Sequence, residues 1–177
     1  MNPITKLTID LSKPNCDAKQ KLDLVCRTVK TAVPNADRVS LWLFDENKQE
    51  IYCLMCLDEN GESSHGMELK RESFTDYFDF VLENKVLSAS KAREDRRTKC
   101  FNEAYFEPLN IFSLLDYTFH IDMEPVGVIC CEHVGEAISW TEDDANSLTR
   151  ISGVTSMFFS EQITAQGDKA SILNYIY

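Results

Sequence analysis

The sequence predicts an α+β fold: a central antiparallel sheet of five to six strands, with the N- and C-terminal helices on one face and an irregular helix-and-loop segment over a pocket on the other. Three observations carry this. Runs rich in β-branched and aromatic residues come in pairs joined by short polar turns, around residues 39–57 and 111–133, which is how antiparallel hairpins read. Helical stripes lie before the first pair and after the second. No strand–helix–strand alternation occurs, so a parallel sheet is not expected.

In chain order, residues 1–15 mix polar with isolated apolar residues and read as an N-terminal arm. Ala18, Leu22, Val25, Cys26, Val29, Ala32 and Val33 then recur at helical spacing until Pro34 stops them. Val39–Phe44 reads as a strand, Asp45–Lys48 as a turn, and Glu50–Leu57 as the returning strand. Asp58–His65, polar and holding Gly61, is a loop. Phe74, Tyr77, Phe78, Val81 and Leu82 form a second stripe, with Ser73 and Asp76 as its capping pair. Val86–Ser88 is a short strand; residues 89–110 are charged and irregular, with a brief helix over Asn102–Glu107.

The strongest pattern follows. Ile111–His120 and Val126–His133 are strands joined through Ile121–Pro125, and Gly135 breaks the run. Thr141 caps the next helix and Asp144 answers it three residues on, within an acidic first turn. Ala145, Leu148, Ile151, Val154, Thr155, Phe158 and Phe159 make its buried stripe. Gly167 reads as a helix stop, and Ile172–Tyr177 as an apolar tail without a partner.

Charge and composition narrow the function. A chain of 177 residues carrying a net charge of −11 has one domain's worth of core and nothing that attracts phosphate backbones. The basic cluster Lys91, Arg93, Arg96, Arg97, Lys99 is interrupted by Glu94 and Asp95 and reads as a solvated face, so no nucleic acid is expected. No apolar run approaches the roughly 20 residues that cross a bilayer, and no secretory signal opens the chain. No membrane is therefore expected, and a cytoplasmic location is. The seven cysteines then read as free thiols.

Metal or nucleophilic chemistry finds little support. In Cys53-x-x-Cys56, residues three apart on a strand point to opposite faces, as do the adjacent Cys130 and Cys131, so neither pair is expected to chelate. Glu132 and His133 are neighbours in sequence but fall on opposite sides of a strand. Polar residues on strands are more telling. A buried carboxylate costs several kcal/mol unless paired or solvated. Asp116, in mid-strand, is the pocket candidate, whereas Glu132, near a strand end, is expected at the sheet rim. Trp42 and Cys130 complete the candidate ligand-binding set read from the residues.

The segment Pro125-Val126-Gly127-Val128-Ile129, then Glu132-His133-Val134-Gly135, then Ser139-Trp140-Thr141-Glu142-Asp143-Asp144 and a long amphipathic helix resembles the end of a GAF domain of the bacterial sensor type. The resemblance covers roughly Leu22–Phe159. It implies a GAF domain over residues 16–162 and a tail or linker over 163–177 leading to an output domain such as a histidine kinase, a diguanylate cyclase or a transcription activator. It further implies an unidentified small-molecule ligand on the less covered sheet face, a homodimer formed through the outer helices, and no catalysis. His65, in the loop before the middle helix, joins the candidate ligand-binding set only through this resemblance. The runner-up is an enzyme similar to the free methionine sulfoxide reductase, a GAF-type protein that works through cysteines in the middle segment; here that segment offers only Cys100, and the Gly-His-Ile-Ala-Cys-Asp stretch is absent. Cyclic-nucleotide-binding members carry an Asn-Lys pair missing near Asp95–Cys100, and bilin-binding members a Cys-His dipeptide missing throughout, so both ligands are disfavoured. A ligand-free dimerisation module is the third possibility.

Overall fold

The structure, a computed structural model, describes residues 1–177. Its strands are β1 (Arg38–Phe44), β2 (Glu50–Leu57), β3 (Ser63–Ser64), β4 (Glu68–Lys70), β5 (Val86–Ala89), β6 (Ile111–Ile121) and β7 (Glu124–Val134). They run in the order β3-β2-β1-β7-β6-β5, with β4 also beside β2, and every pairing is antiparallel. The sheet has seven strands rather than five or six because residues 63–70 run along the free edge of β2. At two and three residues, β3 and β4 are too short to display a period of two. The β6–β7 turn is Asp122-Met123, with φ of 50° and 68°, the left-handed pair that suits a two-residue hairpin turn. Strand β7 consequently opens at Glu124, two residues before the apolar run.

Five helices accompany the sheet: α1 (Pro3–Leu11), α2 (Ala18–Ala32), α3 (Thr75–Glu83), α4 (Glu142–Phe158) and α5 (Lys169–Ile176). The two helices read from sequence as sharing one face do so. Leu22, Val25 and Val29 of α2 and Leu148, Ile151 and Phe158 of α4 join Leu41, Leu54 and Ile129 of the sheet in one apolar layer. Reciprocal capping boxes start both helices, Asp17 with Gln20 and Thr141 with Asp144.

The two chain ends depart from expectation. Residues read as an arm form α1, capped by Asn2 with Pro3 in its first turn, and Leu7 and Leu11 are buried against the helical layer. The apolar tail forms α5, capped by Asp168, with Ile172 and Ile176 buried in the same layer. Helices of nine and eight residues span too few turns for a stripe to stand out; tertiary burial stabilises them instead.

Helix α3, the 3₁₀ turn Lys99–Phe101 and the π turn Asn102–Phe106 cover the opposite face. Their Tyr77, Phe78, Phe101, Tyr105 and Phe106 pack on Trp42, Phe44, Ile51, Leu114 and Val128. No Ser73–Asp76 box forms: α3 starts at Thr75 behind a 3₁₀ turn at Arg71–Ser73, with no side-chain cap. Two polar contacts from β6 seat it instead, Tyr77 on Asp116 and Thr118 Oγ1 donating to Val81 O at 2.9 Å. The basic cluster read as a solvated face also fastens the roof. Arg93 Nε donates to Ile111 O at 2.7 Å and lies over the Phe112 ring, while Arg97 bonds Asp95 and Ser88 O.

Candidate functional site

Strand alternation aims one side chain in two at the roof. Four of the five sequence candidates meet there. Trp42 of β1, Asp116 of β6, and Cys130 and Glu132 of β7 line one pocket with Tyr77, Phe101 and Tyr105 from the roof. The register explains the grouping: Asp116 faces Cys130 across the β6–β7 ladder, and Glu132 stands opposite Arg38 on β1. His65 lies outside this pocket. It stacks on the Tyr177 ring with centroids 3.6 Å apart and borders a second cavity with Arg38, Trp42, Cys53, Cys56 and Tyr105.

Glu132 is not at the rim. It is 1% exposed and fully engaged: Arg38 Nε donates to Oε2 at 3.0 Å, while Tyr105 Oη and Cys130 Sγ donate to Oε1 at 2.7 and 3.3 Å. The strand-end position misled because β1, alongside, supplies a guanidinium that itself is little exposed. Burial pushes the Glu132 carboxyl above its ordinary range, against the pull of Arg38 and the hydrogen bonds.

Asp116 is buried to the same degree but far less satisfied. Tyr77 Oη donates to Oδ2; Oδ1 is buried and has no hydrogen-bond partner. Burial pushes its carboxyl up to about 7, with Glu132 adding to the rise and the Tyr77 hydroxyl and the nearby Cys130 thiol opposing it. Two carboxylates and two phenols thus line a small aromatic-walled pocket, with the Arg38 guanidinium behind Glu132. Trp42 contributes its ring only, since its Nε1 donates to Ser40 Oγ at 2.7 Å.

All seven cysteines are free thiols, and four of them, Cys53, Cys56, Cys100 and Cys130, lie on or beside the roofed face. Cys53 and Cys56 share the roof-facing side, contrary to simple alternation, because a register shift in the β1–β2 ladder leaves Leu54 as an extra residue and puts Leu54 and Met55 together on the helical side. Even so, no group of three or more His, Cys, Asp or Glu side chains is arranged to hold a metal ion. Burial raises the thiols of Cys53, Cys130 and Cys131 well above their ordinary value and that of Cys56 to about 11, which suppresses the nucleophilic thiolate. Cys100, half-buried, is also shifted upward by burial.

Packing is closer than a thinly covered face implies. The pocket at Asp116 encloses about 20 Å³, room for about one water, and the cavity at His65 about 40 Å³. Trp42 and Tyr105 wall both. Wider clefts of about 790 and 800 Å³ lie around the α1–α2 connection, but none of the buried side-chain atoms lacking a partner is there. Sequence reasoning missed Arg38, Tyr77 and Tyr105. The available signals were an Arg opening a buried strand and hydroxyl-bearing aromatics in the segment that must cover it.

A helix-backed antiparallel sheet with a pocket under an irregular roof matches solved structures closely. One is the GAF domain from an Acinetobacter phosphoenolpyruvate-protein phosphotransferase, with a TM-score of 0.64 and 14% identity, covering 89% of this chain and 93% of that one. The chain has a GAF-like fold. The chromophore-binding domain of Stigmatella aurantiaca bacteriophytochrome also shares it, with a TM-score of 0.65 and 11% identity over 90% of this chain; the chain spans 59% of that longer structure. The free methionine-R-sulfoxide reductase from Neisseria meningitidis aligns with a TM-score of 0.65 and 11% identity over 89% of this chain and 86% of its own. At these identities the likeness is one of GAF-like architecture. No protein-family model and no curated protein sequence matches the chain. No helix is long and apolar enough to cross a membrane.

Proposed function

We propose that this chain is a non-catalytic sensory or regulatory GAF domain of a bacterial signalling protein in the cytoplasm. It binds a small ligand between sheet and roof and passes the change through its outer helices to an output domain, for instance a histidine kinase or diguanylate cyclase. The observation that carries this reading is Asp116: a carboxylate at 1% exposure, with an oxygen left unpaired in an aromatic pocket. Such a group is costly to keep, and a core built only for stability is expected to hold an apolar residue there. Perturbed titratable groups in a cleft favour a functional site. Trp42, Cys130 and Glu132 complete the proposed binding set, with His65 beside the adjoining cavity.

Ligand binding has to open the roof, since the pocket as closed holds about one water's volume. The π turn at Asn102–Phe106 is the suited hinge, π turns being frequent at functional positions. A homodimer is expected through the helical side, where Ile9, Met157 and Tyr175 are exposed. Met157→Asp then yields a monomer in analytical ultracentrifugation; an unchanged mass refutes that interface.

The closeness of the packing supports a second reading, a structural module whose pocket is filled by its own side chains. Thermal-shift screening against a broad metabolite library separates the two. A binding domain gives saturable stabilisation that Trp42→Ala abolishes; a structural module gives none. A sulfoxide reductase reading requires turnover of free methionine sulfoxide that Cys100→Ser removes, and the thiol environments favour zero activity.

A further inference from the structure

We propose that the pocket is selective for a small primary amine in its ammonium form, with the ammonium group donating to Asp116 Oδ1. This rests on the ligand-binding reading above and names the ligand's class. Oδ1 is the one carboxylate oxygen in the pocket without a donor: Oδ2 takes Tyr77, and both Glu132 oxygens are occupied by Arg38, Tyr105 and Cys130. The pocket that Asp116 helps to line has about 20 Å³ of free space, enough for a single heavy atom with its hydrogens, and a small shift of the roof brings such an atom to Oδ1. That fits an ammonium nitrogen with the least movement of the roof, whereas planar amidinium or guanidinium heads of three or four heavy atoms need a wider opening.

Charge points the same way. No cation lines the pocket; Arg38, behind Glu132 and bordering the adjoining cavity, is held by Glu132 and Glu59, so its charge is matched before Asp116 is counted. An anionic ligand meets a second carboxylate with no free guanidinium. An ammonium ion supplies the missing counter-charge, and burial strengthens that interaction relative to water. Trp42 and Tyr105 wall both this pocket and the cavity at His65, so the body of the amine is placed past them, toward that cavity. Arm length is therefore limited to a few carbons.

The groups facing Asp116 are Tyr77 from the roof helix, Tyr105 from the π turn, and Cys130 and Glu132 from β7, with Arg38 beyond Glu132. Burial raises the Glu132 carboxyl as well, but that group is closed off by Arg38, Tyr105 and Cys130; Asp116, with its carboxyl at about 7, is the one with an oxygen open to a ligand. Ammonium binding selects the ionised form and displaces the proton, so affinity rises between pH 6 and pH 8 and levels off above.

The test measures the melting temperature of the full chain with propylammonium chloride, 1-propanol, sodium propionate and tetramethylammonium chloride, at pH 6 and pH 8. Propylammonium at about ten times its dissociation constant is expected to raise Tm by about 3 °C, with tighter binding at pH 8. The other three are expected to give no saturable shift. Asp116→Asn, close to isosteric, should fold and lose the response; Glu103→Gln, on the exposed side of the π turn, should keep it. An equal response to 1-propanol, or a response surviving in Asp116→Asn, overturns the ammonium assignment and leaves the ligand-binding reading standing. Silence from propylammonium with a hit elsewhere in the metabolite library does the same. Silence from every compound overturns both.

Discussion

The two faces of one sheet are built on different terms. On the helical side, the strands present Leu41, Leu43, Leu54, Leu57, Leu115 and Ile129 to four helices, all within one apolar cluster. On the roofed side, the same strands present Ser40, Asp116, Thr118 and Glu132 among aromatic and sulfur-bearing residues, and all four are buried. The helical face is held by non-directional burial, worth roughly 25 cal/mol per Å² of apolar surface. The roofed face is held by directional contacts that each cost stability if half made. Stability resides mainly on the first, and the proposed ligand site on the second.

That contrast can be broken by substitution, and the largest effect is expected at Arg38. Arg38→Ala leaves Glu132 buried without its cation and should cost roughly 3–5 kcal/mol in urea unfolding; a loss near zero would show that the pair is not closed from water. The pH dependence at Asp116 comes next. Its carboxyl holds a proton more tightly folded, at about 7, than at its ordinary 3.8. Its contribution is therefore fully present below about pH 4 and lost as pH rises to about 7. Asp116→Asn removes this slope, so the variant should gain over the parent at pH 8 relative to pH 4, by on the order of 4 kcal/mol at most.

Gly127 sharpens the picture from the sheet itself. A Cβ there would lie 2.2 Å from the Trp42 carbonyl and 2.5 Å from the Phe119 ring. Gly127→Ala should cost about 1–3 kcal/mol, because a backbone carbonyl does not move aside as a side chain does. Tyr77→Phe removes the only donor to Asp116 Oδ2 and should cost about 1–3 kcal/mol. Its signature is faster hydrogen exchange in α3 and the π turn while α2 and α4 stay protected. The smallest change is expected on the helical side: Asp17→Ala deletes one half of a capping box at about 1 kcal/mol, with no effect on the roof.

Much of this was legible in the sequence, for reasons that differ by region. The β6–β7 hairpin and α4 show in pattern because each is long, regular and buried on a periodic face, and Thr141 and Asp144 mark the start of α4. Helices α1 and α5 do not show, since eight or nine residues carry too few repeats to separate a helix from a tail. The β1–β2 register shift is equally silent, which is why Cys53 and Cys56 were assigned to opposite faces when they share one. At the candidate site, Asp116 stands out as a lone acid in an apolar strand. Glu132 was placed at the rim because its partner, Arg38, lies 94 positions away in the chain and meets it only through strand pairing.

The most direct measurement is the titration of the Asp116 side-chain carboxyl carbon by ¹³C NMR in the folded protein. A carboxylate buried under this aromatic roof with one oxygen unpartnered is expected to titrate with a midpoint near 7, well above its ordinary 3.8. A midpoint close to 3.8 would mean that water or a hidden donor already reaches Oδ1, and the distinction drawn between the two faces would not hold.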